Sequence, residues 1–182
     1  MATSDVAEIT LRSAARRAYE RGRLGGAVAR GAGAALLATP AFLTCGQTPI
    51  AAACLAGFAL VVIAGHVRGE SYEEGTRAGA LAGILPCLLP ASFAAFDPRL
   101  CMLMFSSHGH WICGAGGVAA GVVLGLRGRA ARGPEFWGSA AAALLFLASI
   151  GCLPAGAIGF AALAVGIVAG GAPVLVARRA LP

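Results

Sequence analysis

The sequence contains no lysine and has few charged residues of any kind. Only 12% of its 182 residues are charged, whereas soluble domains carry about 25%. All 14 basic residues are arginine, which we attribute to genomic base composition rather than to chemistry. Four stretches, 31–67, 78–96, 100–126 and 136–177, contain no charged side chain. Because a membrane-spanning helix needs about 20 apolar residues, these stretches exclude an ordinary soluble core and predict a polytopic membrane protein.

The signatures of several functional classes are also missing. There is no Walker phosphate loop, no His-Glu-x-x-His zinc motif and no Gly-x-Ser-x-Gly nucleophile motif. Apart from Arg30 at the inner mouth of the first span, no predicted span contains Asp, Glu, Lys or Arg, which argues against an ion-coupled pump. Glu70, Glu73 and Glu74 lie between Arg68 and Arg77 and are interpreted as a solvated loop rather than a catalytic pair. We therefore expect no enzymatic activity.

Turn signals divide the charge-free stretches into six helices. The cluster Gly46-Gln47-Thr48-Pro49 divides the first stretch, and a Gly- and Pro-containing segment at 151–156 divides the last. The predicted fold is all-α, a bundle of about six transmembrane helices. These helices are 27–45, 49–67, 78–96, 109–126, 136–152 and 155–177, with a loop at 97–108.

The arginines predict the orientation of these helices. Thirteen arginines lie on the side of the N-terminus, and only Arg99 lies on the other side. Cytoplasmic loops carry the excess of basic residues, so we expect both termini to be cytoplasmic in a multi-pass protein of the bacterial inner membrane. Residues 1–30 hold nine charges and no apolar run, which predicts an uncleaved N-terminus. The net charge of +6 then reflects topology, and no direct nucleic-acid binding is expected. The chain divides into a cytoplasmic arm, 1–26, and a transmembrane domain, 27–182.

Glycines recur at four-residue spacing in three predicted helices. Small residues at this spacing let helix backbones approach closely in lipid. They form either a face for homo-oligomers or contacts inside one bundle. The residues are Gly79 and Gly83, then Gly117, Gly121 and Gly125, and finally Gly166 and Gly170.

Most cysteines and two of the three histidines fall near the predicted outer face. Three interpretations stay open. The cysteines form disulfides, for which Cys45 with Cys54 and Cys101 with Cys113 are natural pairs. Alternatively, they bind a thiophilic metal ion such as zinc or copper, or cysteine serves only as a small apolar residue. Two histidines at spacing two converge in a loop or strand but diverge on a helix. Cys87, near the middle of the third helix, departs from the pattern. The outer-face residues are Cys45, Cys54, Cys101, His108, His110, Cys113 and Cys152.

The arm is predicted to be helical over residues 4–24. Ser4 is an N-cap, and acidic residues precede the arginines, as the helix dipole favours. The arm is an interfacial helix on anionic lipid, a docking element for a cytoplasmic protein, or a basic segment that enforces topology. The partner-binding residues in the second interpretation are Arg12, Arg16, Arg17, Tyr19, Arg21 and Arg23.

The architecture resembles the bacterial six-helix integral-membrane anti-sigma factors. The resemblance rests on the arm "LRSAARRAYERGR", the six spans, the cytoplasmic termini, and thiols such as Cys113 in "HWICGAGG" and Cys152 in "SIGCLPAG". It implies that the arm holds a sigma factor and that the cysteines are functional. The segment "SIGCLPAGAIG" is also similar to the glycine-rich helices of small mercury-uptake membrane proteins, although their adjacent cysteine pair is absent.

We therefore expect a membrane regulator that senses redox state or metal through its thiols and signals through the arm. One alternative is a metal or small-solute transporter with Cys54, Cys87, Cys113 and Cys152 as relay ligands. Another is an assembly subunit of a larger membrane complex, in which the glycine faces bind the partner chain.

Overall fold

The computed structural model is helical throughout the part of the chain that it describes. It describes the backbone of residues 2–45, 48–96, 98–128 and 133–180, and the side chains of residues 14–16, 18–43, 48–89, 92, 108–128 and 133–177. There are six α-helices in these ranges and no strand. They are α1 (Ala2–Cys45), α2 (Pro49–Arg68), α3 (Glu70–Phe96), α4 (Pro98–Arg127), α5 (Pro134–Cys152) and α6 (Gly156–Ala180), with a short 3-10 helix, Leu153–Ala155, before α6.

Three of the predicted helices, α2, α5 and α6, lie close to their predicted bounds because their ends are locally encoded. The Thr48 side chain caps α2 by accepting a hydrogen bond from the Ala51 amide at 3.1 Å. Pro49 and Pro134 occupy first-turn positions of α2 and α5, where proline removes no helical hydrogen bond. Gly156 begins α6 with φ of 63°, a conformation that favours glycine.

The other boundaries differ from prediction. Residues 98–108 are helical, so the predicted loop at 97–108 is wrong. Its polar residues lie inside α4, which begins at Pro98. Similarly, α3 begins at Glu70 instead of residue 78, because Glu70 and Glu73 favour a helix N-terminus. The arm and the first span form one continuous helix, α1, with no break at residues 26–27. Charge-free stretches thus indicate the apolar part of a helix and not its full length.

Several helices are long and apolar enough to cross a membrane. Four such segments occur among the described residues: Ala14–Leu43, Pro49–Arg68, His108–Arg127 and Pro134–Ala177, the last containing both α5 and α6. Large apolar side chains also cover the outside of the bundle. Leu36, Leu37 and Ile158 are each more than 70% exposed. A surface of this kind is unusual for a soluble monomer and suits contact with lipid. The number of spans and the side of the termini stay predictions.

The helices pack in an interleaved order. The two most extensive contacts join α3 with α5 and α4 with α6, whereas α1 packs mainly on α2. In both extensive contacts the residue numbers rise together along the two helices, so the paired helices run parallel. One buried cluster lies among α3, α4, α5 and α6 and a second among α1, α2, α3 and α5.

The predicted packing glycines lie in these two contacts, within one chain. A Cβ atom at Gly79 would overlap the carbonyl oxygen of Ala140 in α5, and one at Gly117 would overlap the carbonyl oxygen of Leu163 in α6. Gly83 faces Leu147 of α5. The remaining glycines lie on both sides of the α4–α6 contact: Gly121 and Gly125 face α6, and Gly166 and Gly170 face α4.

Candidate functional site: a buried thiol pair and an ionic cluster

Two thiols from different helices meet inside the bundle. The side chains of Cys113 in α4 and Cys152 at the end of α5 lie within hydrogen-bonding reach of each other, and both are thiols in the structure. Only 2% of Cys113 and none of Cys152 is exposed. Gly159 of α6 lies beside them: a Cβ atom there would stand 3.4 Å from the Cys113 sulfur. The fold therefore brings together two cysteines that are 39 positions apart in the sequence.

Cys87 lies at the same level of the bundle as this pair. A Cβ atom at Gly151 would stand 2.9 Å from the Cα atom of Cys87, and one at Gly116 would stand 3.0 Å from the Cβ atom of Pro86. Cys87 is therefore level with the last turn of α5. The sequence suggested that Cys87 stands apart near the middle of its helix. In the structure the last turn of α5 lies beside Cys87, nine residues before α3 ends at Phe96.

The pairing suggested for Cys101 and Cys113 conflicts with the helix that contains both. They are 12 residues apart within α4, which separates their Cα atoms by about 18 Å at 1.5 Å per residue. A disulfide requires less than about 7 Å. The side chains of Cys101 and Cys45 lie outside the described residues. Cys54, half-buried in α2, is hydrogen-bonded to the Ser149 side chain of α5.

The two outer histidines point to different sides of α4. Residues two apart on a helix project about 200° apart, so His108 and His110 do not converge. His108 is exposed, whereas the His110 ring is half-buried and its centroid lies 5.4 Å from that of Trp111. Among the described residues no three His, Cys, Asp or Glu side chains are grouped so as to hold a metal ion. A thiophilic metal at the outer thiols stays a prediction.

The described part of the arm is an exposed helix. Arg16, Tyr19, Arg21 and Arg23 are all exposed, Tyr19 to 70%. Arg16 donates a hydrogen bond to the Glu20 carboxylate at 2.9 Å, an ordinary i,i+4 pair. The side chains of Arg12 and Arg17 lie outside the described residues. The exposed basic side chains leave this helix face accessible to a partner or to lipid.

An ionic cluster ties α1, α2 and α3 together where the arm meets the bundle. We define it as Arg30 of α1, His66 of α2, and Glu73 and Arg77 of α3. His66 Nδ1 lies 3.0 Å from Glu73 Oε2, and Arg77 Nη2 donates to Glu73 Oε1 at 2.5 Å. Arg30 Nη1 lies 2.5 Å from the ring nitrogens of His66 and 4.0 Å from Glu73. The donor and acceptor roles of the two His66 ring nitrogens depend on the tautomer.

Glu73 is the common anion of the cluster. Partial burial would raise the pKa of its carboxyl, but the His66 hydrogen bond and the charges of Arg77, His66 and Arg30 outweigh that effect and lower the pKa below its usual value. Nearby, Arg23 Nη2 donates to the Val67 carbonyl at 2.6 Å, a second tie between α1 and the end of α2.

No protein-family model, curated protein or solved structure matches this chain.

The ionic cluster is the feature that the sequence interpretation missed. Glu73 was assigned to a solvated loop, and His66 only to the end of a span. One local signal was available, since Glu73 and Arg77 stand four positions apart as a helical ion pair does. The other two members belong to other helices, and only the packing of α1, α2 and α3 brings them together.

Proposed function

We propose that this chain is a six-span regulator of the bacterial inner membrane that responds to oxidation of the Cys113–Cys152 pair. The observation that supports it is the direct contact of these two buried thiols across two helices. Oxidation forms one sulfur–sulfur bond and releases two electrons and two protons. A lipid-soluble quinone is the class of oxidant that reaches buried thiols, and it takes up both electrons and both protons to become the quinol. A dithiol reductant restores the pair.

The response reaches the arm through packed helices. A disulfide at the end of α5 restrains α5 against α4. Because α5 packs along α3 at backbone contact distance, at Gly79 for example, this restraint also acts on α3. Glu73 of α3 contacts Arg30 of α1, the helix that continues into the arm. Oxidation then shifts the balance between two packings of the bundle, and the arm's affinity for its partner changes.

The output in this proposal is a cytoplasmic protein, such as a sigma factor, bound by the arm. Both termini are cytoplasmic in the proposal, which rests on the distribution of arginine. Exposed Arg16, Arg21 and Arg23 present positive charge, so the arm suits an acidic partner surface.

The decisive experiment measures both the oxidation of the thiol pair and the response of the arm. The full chain in lipid nanodiscs is treated with a quinone, the disulfides are mapped by non-reducing peptide mass spectrometry, and hydrogen exchange is followed in residues 14–26. We expect a Cys113–Cys152 disulfide and changed exchange in the arm, both lost in Cys152→Ser. Cys54→Ser is the matched control, because the Cys54 side chain interacts with Ser149 of α5, outside the Cys113–Cys152 pair, and it should respond like the wild type. An arm response that persists in Cys152→Ser, or a disulfide formed by other cysteines, contradicts the proposal.

A further inference from the structure

Two adjacent cavities with shared lining residues form one groove between α1, α2 and α3. The cavity at the ionic cluster has a volume of about 230 Å³ and the apolar cavity beyond it about 190 Å³. Ala34, Phe58 and Ala80 line both cavities. A polar mouth therefore adjoins an apolar channel.

The mouth of the groove carries excess positive charge. Arg30 and Arg77 line it, with side chains 53% and 66% exposed. Glu73 is the one acidic side chain among the residues that line this cavity, against two guanidinium groups. Each guanidinium has five N–H donors, and the contacts within the cluster use only part of them. The mouth therefore has the charge and the hydrogen-bond donors to bind an anion.

The rest of the groove is apolar and has the length of one lipid leaflet. Its wall beyond the mouth includes Leu37, Ile84 and Leu88, which are exposed on the outside of the bundle, and the buried Leu147. From Arg77 to Leu88, α3 rises by about 16 Å. Half of the hydrocarbon core of a bilayer measures about 15 Å. The mouth includes His66, two residues before the end of α2, a segment of 20 residues that is long and apolar enough to cross a membrane.

We propose that this groove binds an anionic phospholipid, with its phosphate on Arg30 and Arg77 and one acyl chain along the apolar channel. Charge complementarity selects the head group, because basic pockets between transmembrane helices bind anionic lipid head groups. The length and apolar lining of the channel select an acyl chain over a free phosphate ion. The site goes beyond the proposed function, since it requires neither the thiol pair nor a partner of the arm.

The test is lipid retention by the full chain, measured by native mass spectrometry. The protein in detergent is titrated with phosphatidylglycerol or with phosphatidylcholine of the same acyl chains. The wild type should retain phosphatidylglycerol in preference. Arg30→Gln and Arg77→Gln should each weaken that preference about fivefold, the equivalent of about 1 kcal/mol per arginine. Arg68→Gln is the matched control: Arg68 stacks on Tyr72 outside the groove, so its loss should change retention little.

A second pair of measurements separates a lipid from a free anion and from a folding defect. Ala80→Leu fills the segment shared by the two cavities and leaves both arginines in place. It should reduce phosphatidylglycerol retention while the thermal midpoint shows a folded protein. Inorganic phosphate should not displace the lipid. The proposal is overturned if the wild type retains the two lipids equally, or if Arg68→Gln loses as much phosphatidylglycerol as the groove variants do. It is also overturned if Ala80→Leu retains as much phosphatidylglycerol as the wild type, or if phosphate displaces the lipid.

Discussion

Replacing Gly79 by alanine tests the packing on which the whole bundle depends. The added Cβ atom would overlap the carbonyl oxygen of Ala140 and lie 2.7 Å from its carbonyl carbon. The obstacle is backbone in α5, which cannot rotate away as a side chain can, so α3 and α5 must separate. Overpacking of this kind costs about 1–3 kcal/mol. Each kcal/mol lowers the unfolding midpoint by about 2–4 °C in a chain of this size.

The matched control is the same substitution at Gly138 of α5, where an added Cβ atom meets nothing within 4 Å. There alanine should be neutral or stabilising by up to about 1 kcal/mol, because it favours the helix more than glycine does. The assay is thermal unfolding in detergent, followed with a fluorogenic maleimide. The thiols of Cys87, Cys113 and Cys152 are at most 2% exposed and become reactive only when the bundle opens.

We expect Gly79→Ala to lower the midpoint by roughly 2–12 °C and Gly138→Ala to leave it unchanged or slightly higher. If both variants behaved alike, α3 and α5 would not be in close contact at this register. The oligomeric state of both variants, measured in the same detergent, addresses the alternative role of these glycines. A dimer dissociated by Gly79→Ala at unchanged stability would show that this face joins two chains.

Three further predictions concern other contacts. Glu73 has a lowered pKa in the fold, so its ion pairs stabilise the protein above the ordinary carboxyl pKa of 4.5, and this stabilisation is lost as the pH falls through the lower folded-state pKa. The unfolding midpoint should therefore fall less on acidification in Glu73→Gln than in the wild type, and equal falls would contradict this. Thr48→Ala removes the cap of α2 and should cost about 1 kcal/mol. Thr39→Ala, whose hydroxyl only donates back to its own helix, should cost less, and the reverse order would count against the cap. Arg23→Gln removes the hydrogen bond to the Val67 carbonyl and should speed hydrogen exchange in residues 14–26; unchanged exchange would show that this bond does not restrain the arm.

Local signals account for the parts of the fold that the sequence predicted. Thr48 with Pro49, Pro134 and Gly156 mark helix starts by their own backbone chemistry, and α2, α5 and α6 follow the prediction closely. The prediction failed where charge was taken as a sign of loop. Helices continue through polar residues, so α3 begins at Glu70.

The candidate site required knowledge of which helices are neighbours. Cys113 and Cys152 were both singled out, but their pairing depends on α4 and α5 meeting at one level, which no local pattern encodes. The ionic cluster depends in the same way on three helices. Residue type identified the chemistry of the thiols, whereas tertiary packing decided their partners.

The interleaved pairing of helices has a consequence for biosynthesis. Synthesis of α3 ends at Phe96, whereas its parallel partner α5 is complete only at Cys152. In the same way, α4 is synthesised well before its partner α6. The ribosome adds about 5–20 residues per second, so each helix waits roughly 3–11 s before its partner is complete. During that interval the glycines that later contact the partner helix are covered only by lipid or by the insertion machinery. A nascent chain released before α5 would leave the packing glycines of α3 and α4 without the helices that they contact in the complete chain.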